Sequence, residues 1–85
     1  MHFSSILVTV APSRFSQCVQ ELESLPGVEV HYAFPREGRL VVTQETETVQ
    51  GQAETLRRIQ TLPPVLSAQL IYHYLDDGGF PSGER

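Results

Sequence analysis

The chain has 85 residues, 40% of them hydrophobic, and a formal net charge of −4. At this length only roughly 60 to 65% of the unfolded surface is buried on folding, which supports one modest core and therefore one domain. With no basic patch beyond Arg57-Arg58 the composition disfavours nucleic acid, and apolar runs such as Ser5 to Val10 fall far short of the ~20 residues that cross a bilayer. Met1-His2-Phe3-Ser4 lacks the basic region of a secretory signal, so a cytoplasmic location is expected, with no membrane insertion. Cys18 is the only cysteine, which excludes an intrachain disulfide and a thiolate metal cluster.

The first predicted element is a strand, Ser5 to Val10, in which Ile6, Val8 and Val10 alternate with Ser5, Leu7 and Thr9. Ala11-Pro12-Ser13 ends it, and Ser13 is placed to cap the following helix. There Phe15, Cys18, Val19 and Leu22 form one apolar stripe, so Cys18 reads as a small buried hydrophobe. Leu25-Pro26-Gly27 stops this helix. A second strand, Val28 to Phe34, sets Val28, Val30, Tyr32 and Phe34 against Glu29, His31 and Ala33. Pro35 to Gly38 turns it into a third strand, Arg39 to about Glu45, making a hairpin. Val49, Ala53, Leu56 and Ile59 keep helical spacing despite Gly51, which costs about 1 kcal/mol relative to Ala. Leu62-Pro63-Pro64 closes that helix. Val65 to Leu75 forms the fourth strand, and residues 76–85, rich in Gly, Pro and Asp, read as a flexible tail beyond a domain spanning 5–75.

The order strand, helix, strand, strand, helix, strand contains two βαβ halves, each joined by a similar segment, Leu25-Pro26-Gly27-Val28 and Leu62-Pro63-Pro64-Val65. Right-handed crossovers then predict an α+β, ferredoxin-like βαββαβ sandwich: a four-stranded antiparallel sheet in the order 4-1-3-2, with both helices on one face. The other face is left open.

This topology separates groups that might otherwise combine. His31 and His73 fall on opposite edge strands, roughly 14 Å apart at about 4.8 Å per strand, so they cannot share a metal ion within a monomer. Ser4, Ser5 and Ser13 have no His and carboxylate partner, and Gly78-Gly79 leads to no helix N-terminus that could hold phosphate. No catalytic residue, metal or cofactor is expected. On the open face, Leu7, Val41 and Ile71 form an apolar centre flanked by Thr9, Thr43, Gln69 and His73. The acidic residues Glu29, Glu45, Glu47, Asp76 and Asp77 lie at outward positions or strand ends. Most such charges only keep a surface solvated, but an apolar centre with an acidic rim also suits a basic peptide. The edge strands leave room for weak self-association.

Ser5-Ile6-Leu7-Val8, Leu25-Pro26-Gly27-Val28-Glu29-Val30, Gly38-Arg39-Leu40-Val41-Val42 and Val65-Leu66-Ser67-Ala68-Gln69-Leu70-Ile71-Tyr72-His73 resemble the NapD family. Members of that family are cytoplasmic assembly chaperones of periplasmic nitrate reductase. The resemblance implies a ferredoxin-like fold, no catalysis, and binding of the twin-arginine signal peptide of the NapA catalytic subunit, whose export is restrained until its cofactor is in place. The family binds that peptide as a helix across the sheet. It further implies that Leu7, Val41 and Ile71 pack against the apolar part of the peptide while Glu29 or Glu45 approaches its arginines. Two alternatives share the element order. A small-ligand regulatory domain of the ACT kind expects a Gly-rich turn where this chain has Ala11-Pro12-Ser13. An acylphosphatase-like enzyme expects an anion-cradling loop around an arginine, and no glycine accompanies Arg14.

Overall fold

The computed structural model describes residues 1–75, with side chains described through Tyr72; the expected tail, 76–85, lies outside the described residues. Four strands and two helices follow in the order β1 (His2–Val10), α1 (Phe15–Glu23), β2 (Val28–Phe34), β3 (Arg39–Thr46), α2 (Val49–Thr61) and β4 (Val65–Leu75). The sheet is antiparallel throughout and ordered β2-β3-β1-β4, the expected 4-1-3-2 read from the other edge. β1 starts three residues before the expected Ser5, because His2, Phe3 and Ser4 continue the pairing with Thr46, Glu45 and Gln44.

Residues directly opposite one another in an antiparallel ladder share a face. Ile6, Val8, Leu40 and Val42, all fully buried, therefore line one side together and meet Cys18 and Leu22 of α1 and Ile59 of α2. Each such side chain contributes roughly 1.5 to 3 kcal/mol through burial.

At the start of β1 this core gives way to polar groups. Gln52 of α2 reaches the sheet, where its Nε2 donates to the His2 carbonyl (3.0 Å) and to Thr46 Oγ1 (2.8 Å). Its Oε1 accepts from Ser4 Oγ and from Gln44 Nε2. Gly51 is what lets the helix come so close, since a Cβ there would stand 3.0 Å from the Thr46 Cβ. The expected penalty for a helical glycine is thus tied to packing.

The helix starts differ from expectation in one case. Ser13 makes no capping bond; it lies inside a 3-10 turn, Pro12–Arg14, whose Arg14 N–H returns to the Ala11 carbonyl at 2.9 Å, so α1 is entered through a turn. Thr48 caps α2 instead, its Oγ1 accepting from the Gly51 N–H at 2.9 Å. Two glycines hold strand ends in place. Gly27, at φ 76°, accepts a bond from the Glu45 N–H (2.8 Å), and Gly38, at φ 67°, accepts one from the Val10 N–H (2.7 Å). Both left-handed conformations disfavour any residue with a Cβ.

Candidate functional site

The face of the sheet away from the helices is built by the alternate residues of the same strands. Leu7 stands between Val41 on β3 and Gln69 on β4, and Thr9 between Arg39 and Ser67. Thr43 is opposite both Ser5 and Glu29, while Glu45 is opposite Phe3. Of the nine residues singled out in the sequence, Leu7, Thr9, Glu29, Val41, Thr43, Glu45 and Gln69 therefore share this open face.

The remaining two meet a bulge in β4. Ser5 pairs with Tyr72 but Ile6 pairs with Leu70, so Ile71 is an extra residue with no opposite number on β1 and is 56% exposed. Beyond it the parity is reversed. His73 comes opposite Ser4, the row of the helix-side residues, and its side chain lies outside those described. The expectation of an uninterrupted Gln69, Ile71, His73 row is corrected accordingly: Tyr72 takes the open-face position next to Ser5.

A second bulge acts in β2. Val30 pairs with Val42 and Tyr32 with Val41, leaving His31 as the inserted residue. Strict alternation puts Val28, Val30, Tyr32 and Phe34 on one face; the bulge divides them. Val28 and Val30 stay on the helix side, whereas Tyr32 and Phe34 turn to the open side, where they are 61% and 46% exposed. A bulge inserts one residue and so reverses every side chain after it. Unbroken alternation gave no sign of this, yet the large aromatic residues without a covering element were a signal that could have been used. With Phe3 and Tyr72 they make the open face considerably more aromatic than Leu7 and Val41 alone imply.

At the β1-start end the face dips into a shallow cavity of about 470 Å³, whose lining includes Phe3, Ser5, Glu29, His31, Thr43 and Glu45. Glu29 and His31, two residues apart on β2, lie on the same side, with His31 Nε2 3.7 Å from Glu29 Oε1, both well exposed. That pair is attractive only when His31 is protonated. The Glu45 backbone is fixed by Gly27, so the two carboxylate-bearing strands are tied together at this end. The cavity offers carboxylate oxygens beside an aromatic ring, a combination suited to a guanidinium group, which can donate a fork of N–H bonds to the oxygens and stack on a ring. The described residues contain no cluster of three His, Cys, Asp or Glu able to hold a metal ion. No helix among them is long and apolar enough to cross a membrane. Cys18, on the core side of α1, is fully buried, and burial, reinforced by the nearby Glu21 charge, pushes its thiol up to about 11.

A family model described as NapD protein matches residues 1–77. Among solved structures, the solution structure of the Escherichia coli Tat proofreading chaperone protein NapD superposes with a TM-score of 0.80 at 26% identity, covering 93% of this chain and 83% of that one. A hypothetical protein from Pyrococcus horikoshii gives 0.74 at 19% identity, covering 100% and 99%. A transcriptional regulatory protein of the AsnC family from Pyrococcus furiosus gives 0.70 at 18% identity, covering 91% of this chain but 54% of its own length. The last two show a shared fold. No curated protein sequence matches the chain.

Proposed function

The chain belongs to the NapD family, and from that premise we propose that it acts in the cytoplasm as a chaperone that binds the twin-arginine signal peptide of a NapA-type catalytic subunit and delays its export until cofactor insertion is complete. The observation that carries this reading is the open face itself. A band of Leu7, Val41, Tyr32, Phe34 and Tyr72 lies uncovered beside a cavity that bears Glu29 and Glu45. An apolar segment preceded by two arginines is complementary to that arrangement. Thr9, Thr43 and Gln69 supply polar edges, and Ile71 adds exposed apolar surface at the β4 bulge. Binding of this kind needs no bond making, so the protein is not an enzyme in this reading.

Isothermal titration with a NapA-type signal peptide, beside a version with both arginines changed to lysine, tests it. Lysine keeps the charge but loses the planar donor pair, and the expected loss of affinity is about tenfold or more. Absence of heat and of competition at high micromolar peptide overturns the chaperone reading, and the small-ligand alternative is then examined with amino acids and metabolites.

A further inference from the structure

The helix side of the sheet is covered unevenly. Leu70 of the edge strand β4 pairs with Ile6 and so belongs to the helix-side row, yet Ile6 is fully buried and Leu70 is 51% exposed. Val49, the first residue of α2, is also exposed. Between them runs a groove of about 240 Å³, with Val49, Ala53 and Leu56 of α2 on one side and Leu70 on the other. Three buried polar residues, Ser4, Gln44 and Gln52, complete its lining. An apolar cavity of about 150 Å³ is enough to hold benzene, so the groove has room for a substituted ring.

The chemistry of the floor is set by hydrogen bonds that are already committed. Gln44, 1% exposed, donates from Nε2 to the Gln52 carbonyl and to Gln52 Oε1, both at 3.2 Å. The first of these fixes the orientation of its amide, because a backbone carbonyl only accepts and must face the nitrogen. Gln52 Nε2 is held by the His2 carbonyl and Thr46 Oγ1, and the Ser4 hydroxyl donates to Gln52 Oε1. Every donor of the three side chains is therefore used, and one acceptor is left over. Gln44 Oε1 is, among the described residues, the one buried side-chain oxygen or nitrogen without a hydrogen-bond partner. It is closed to water, so a ligand reaches it by displacing lining side chains. No charged residue lines the groove, which disfavours an ionic ligand. We infer that the groove between α2 and β4 is a second binding site, separate from the open face, for a small uncharged molecule of about the size of a substituted benzene that carries a hydroxyl or N–H: its apolar body packs between α2 and Leu70, and its donor bonds Gln44 Oε1.

Methyl ¹H–¹³C spectra of the full chain, titrated with p-cresol and separately with toluene, test this, since the two probes share a shape and differ in the hydroxyl. Both are expected to shift the methyl signals of Val49, Ala53, Leu56 and Leu70 and to spare those of Leu7 and Val41 on the open face. The p-cresol complex is expected to be tighter by about fivefold or more, the effect of one added hydrogen bond to a buried acceptor. Gln44→Leu is expected to abolish that preference. Ala53→Phe, a change at an exposed helix position, is expected to fill the groove and weaken both probes about tenfold, and it keeps the site testable if Gln44→Leu does not fold. Equal affinity for the two probes, binding that survives Ala53→Phe, or shifts confined to the open face would each overturn the inference.

Discussion

On the helix side of the sheet Ile6, Val8, Leu40 and Val42 are fully buried, whereas Leu7 and Val41, their neighbours along the same strands, remain half-buried on the open side, where Tyr32 is largely exposed. One hydrogen-bonded ladder thus presents two surfaces of opposite purpose. Along β1 and β3 the helix side is closed by elements of the chain itself and sets stability. The open side retains apolar area that the chain does not cover, and uncovered patches of this kind mark interaction surfaces. Substitution at adjacent positions should therefore separate folding from binding.

The largest expected effect uses one such pair. Asp in place of Val42 buries a carboxylate in an apolar core, which costs more than about 4 kcal/mol, a large share of the stability of a small domain. Asp in place of Val41 faces solvent and costs about 1 kcal/mol, mostly through lost strand preference. Thermal melts followed by circular dichroism should show V42D unfolded and V41D cooperative, with peptide affinity lost in V41D. A folded V42D beside an unfolded V41D reverses the assignment of the faces.

Next in size is Gln52→Ala. Gln52 links Ser4, Gln44, Thr46 and the His2 carbonyl where the apolar core ends. Truncation strands several of these groups under α2, with an expected loss of roughly 2 to 3 kcal/mol, offset by a few tenths from the better helix propensity of Ala. Denaturant melts measure it, and a loss below 0.5 kcal/mol (about the spread of ordinary surface substitutions) rejects the network as a stabilising element.

The fold was legible in the sequence where local pattern and global topology agree. The alternation through Ile6, Val8 and Val10, the stripe of Phe15, Cys18, Val19 and Leu22, and the two Leu-Pro junctions all survive in the structure. Parity across a bulge was not legible. His31 in β2 and Ile71 in β4 each add a residue without changing composition or length in a way that a pattern can register. Such insertions are fixed by pairing with a strand elsewhere in the chain, and this is why alternation groups Tyr32 and Phe34 with Val28 and Val30 and leaves Tyr72 off the open face, while it places Glu29, Val41 and Glu45, on the near side of the bulges or on an unbulged strand. The Gln52 network escaped for a related reason: a glutamine within a helix reads as solvated until its tertiary partners are known.

The Cys18 thiol gives a smaller, pH-gated effect on the helix side. Its folded-state value is raised to about 11 from an ordinary 9.0, so both states are protonated below pH 9 and stability is unaffected there. Above that, the unfolded chain loses its proton first. Stability falls as pH rises from 9 toward 11, by roughly 2 kcal/mol at most. A Cys18→Ala variant should lack this component, so the difference in stability between the two proteins is flat up to pH 9 and shifts against the parent above it. A difference that stays flat to pH 11 shows the thiol to be open to water.

The smallest expected effect on stability is at Tyr32, and it bears most directly on the open face. The ring is 61% exposed and stands opposite Val41 only because His31 is inserted before it. Tyr32→Ala removes apolar area that the fold leaves uncovered, so stability should change by about 0.5 kcal/mol or less. Binding should respond differently: an aromatic side chain packed beneath a peptide helix contributes about 1 to 2 kcal/mol at an interface, a five- to thirtyfold loss of affinity when removed. Calorimetric titration of Y32A beside the parent reads this directly. If Y32A binds as tightly, the peptide avoids the β2 edge and lies toward β4, over Gln69 and Tyr72. If it binds more weakly at unchanged stability, the bulge at His31 is what makes the face complete, because without it Tyr32 would point to the helix side and the apolar band would end at Val41.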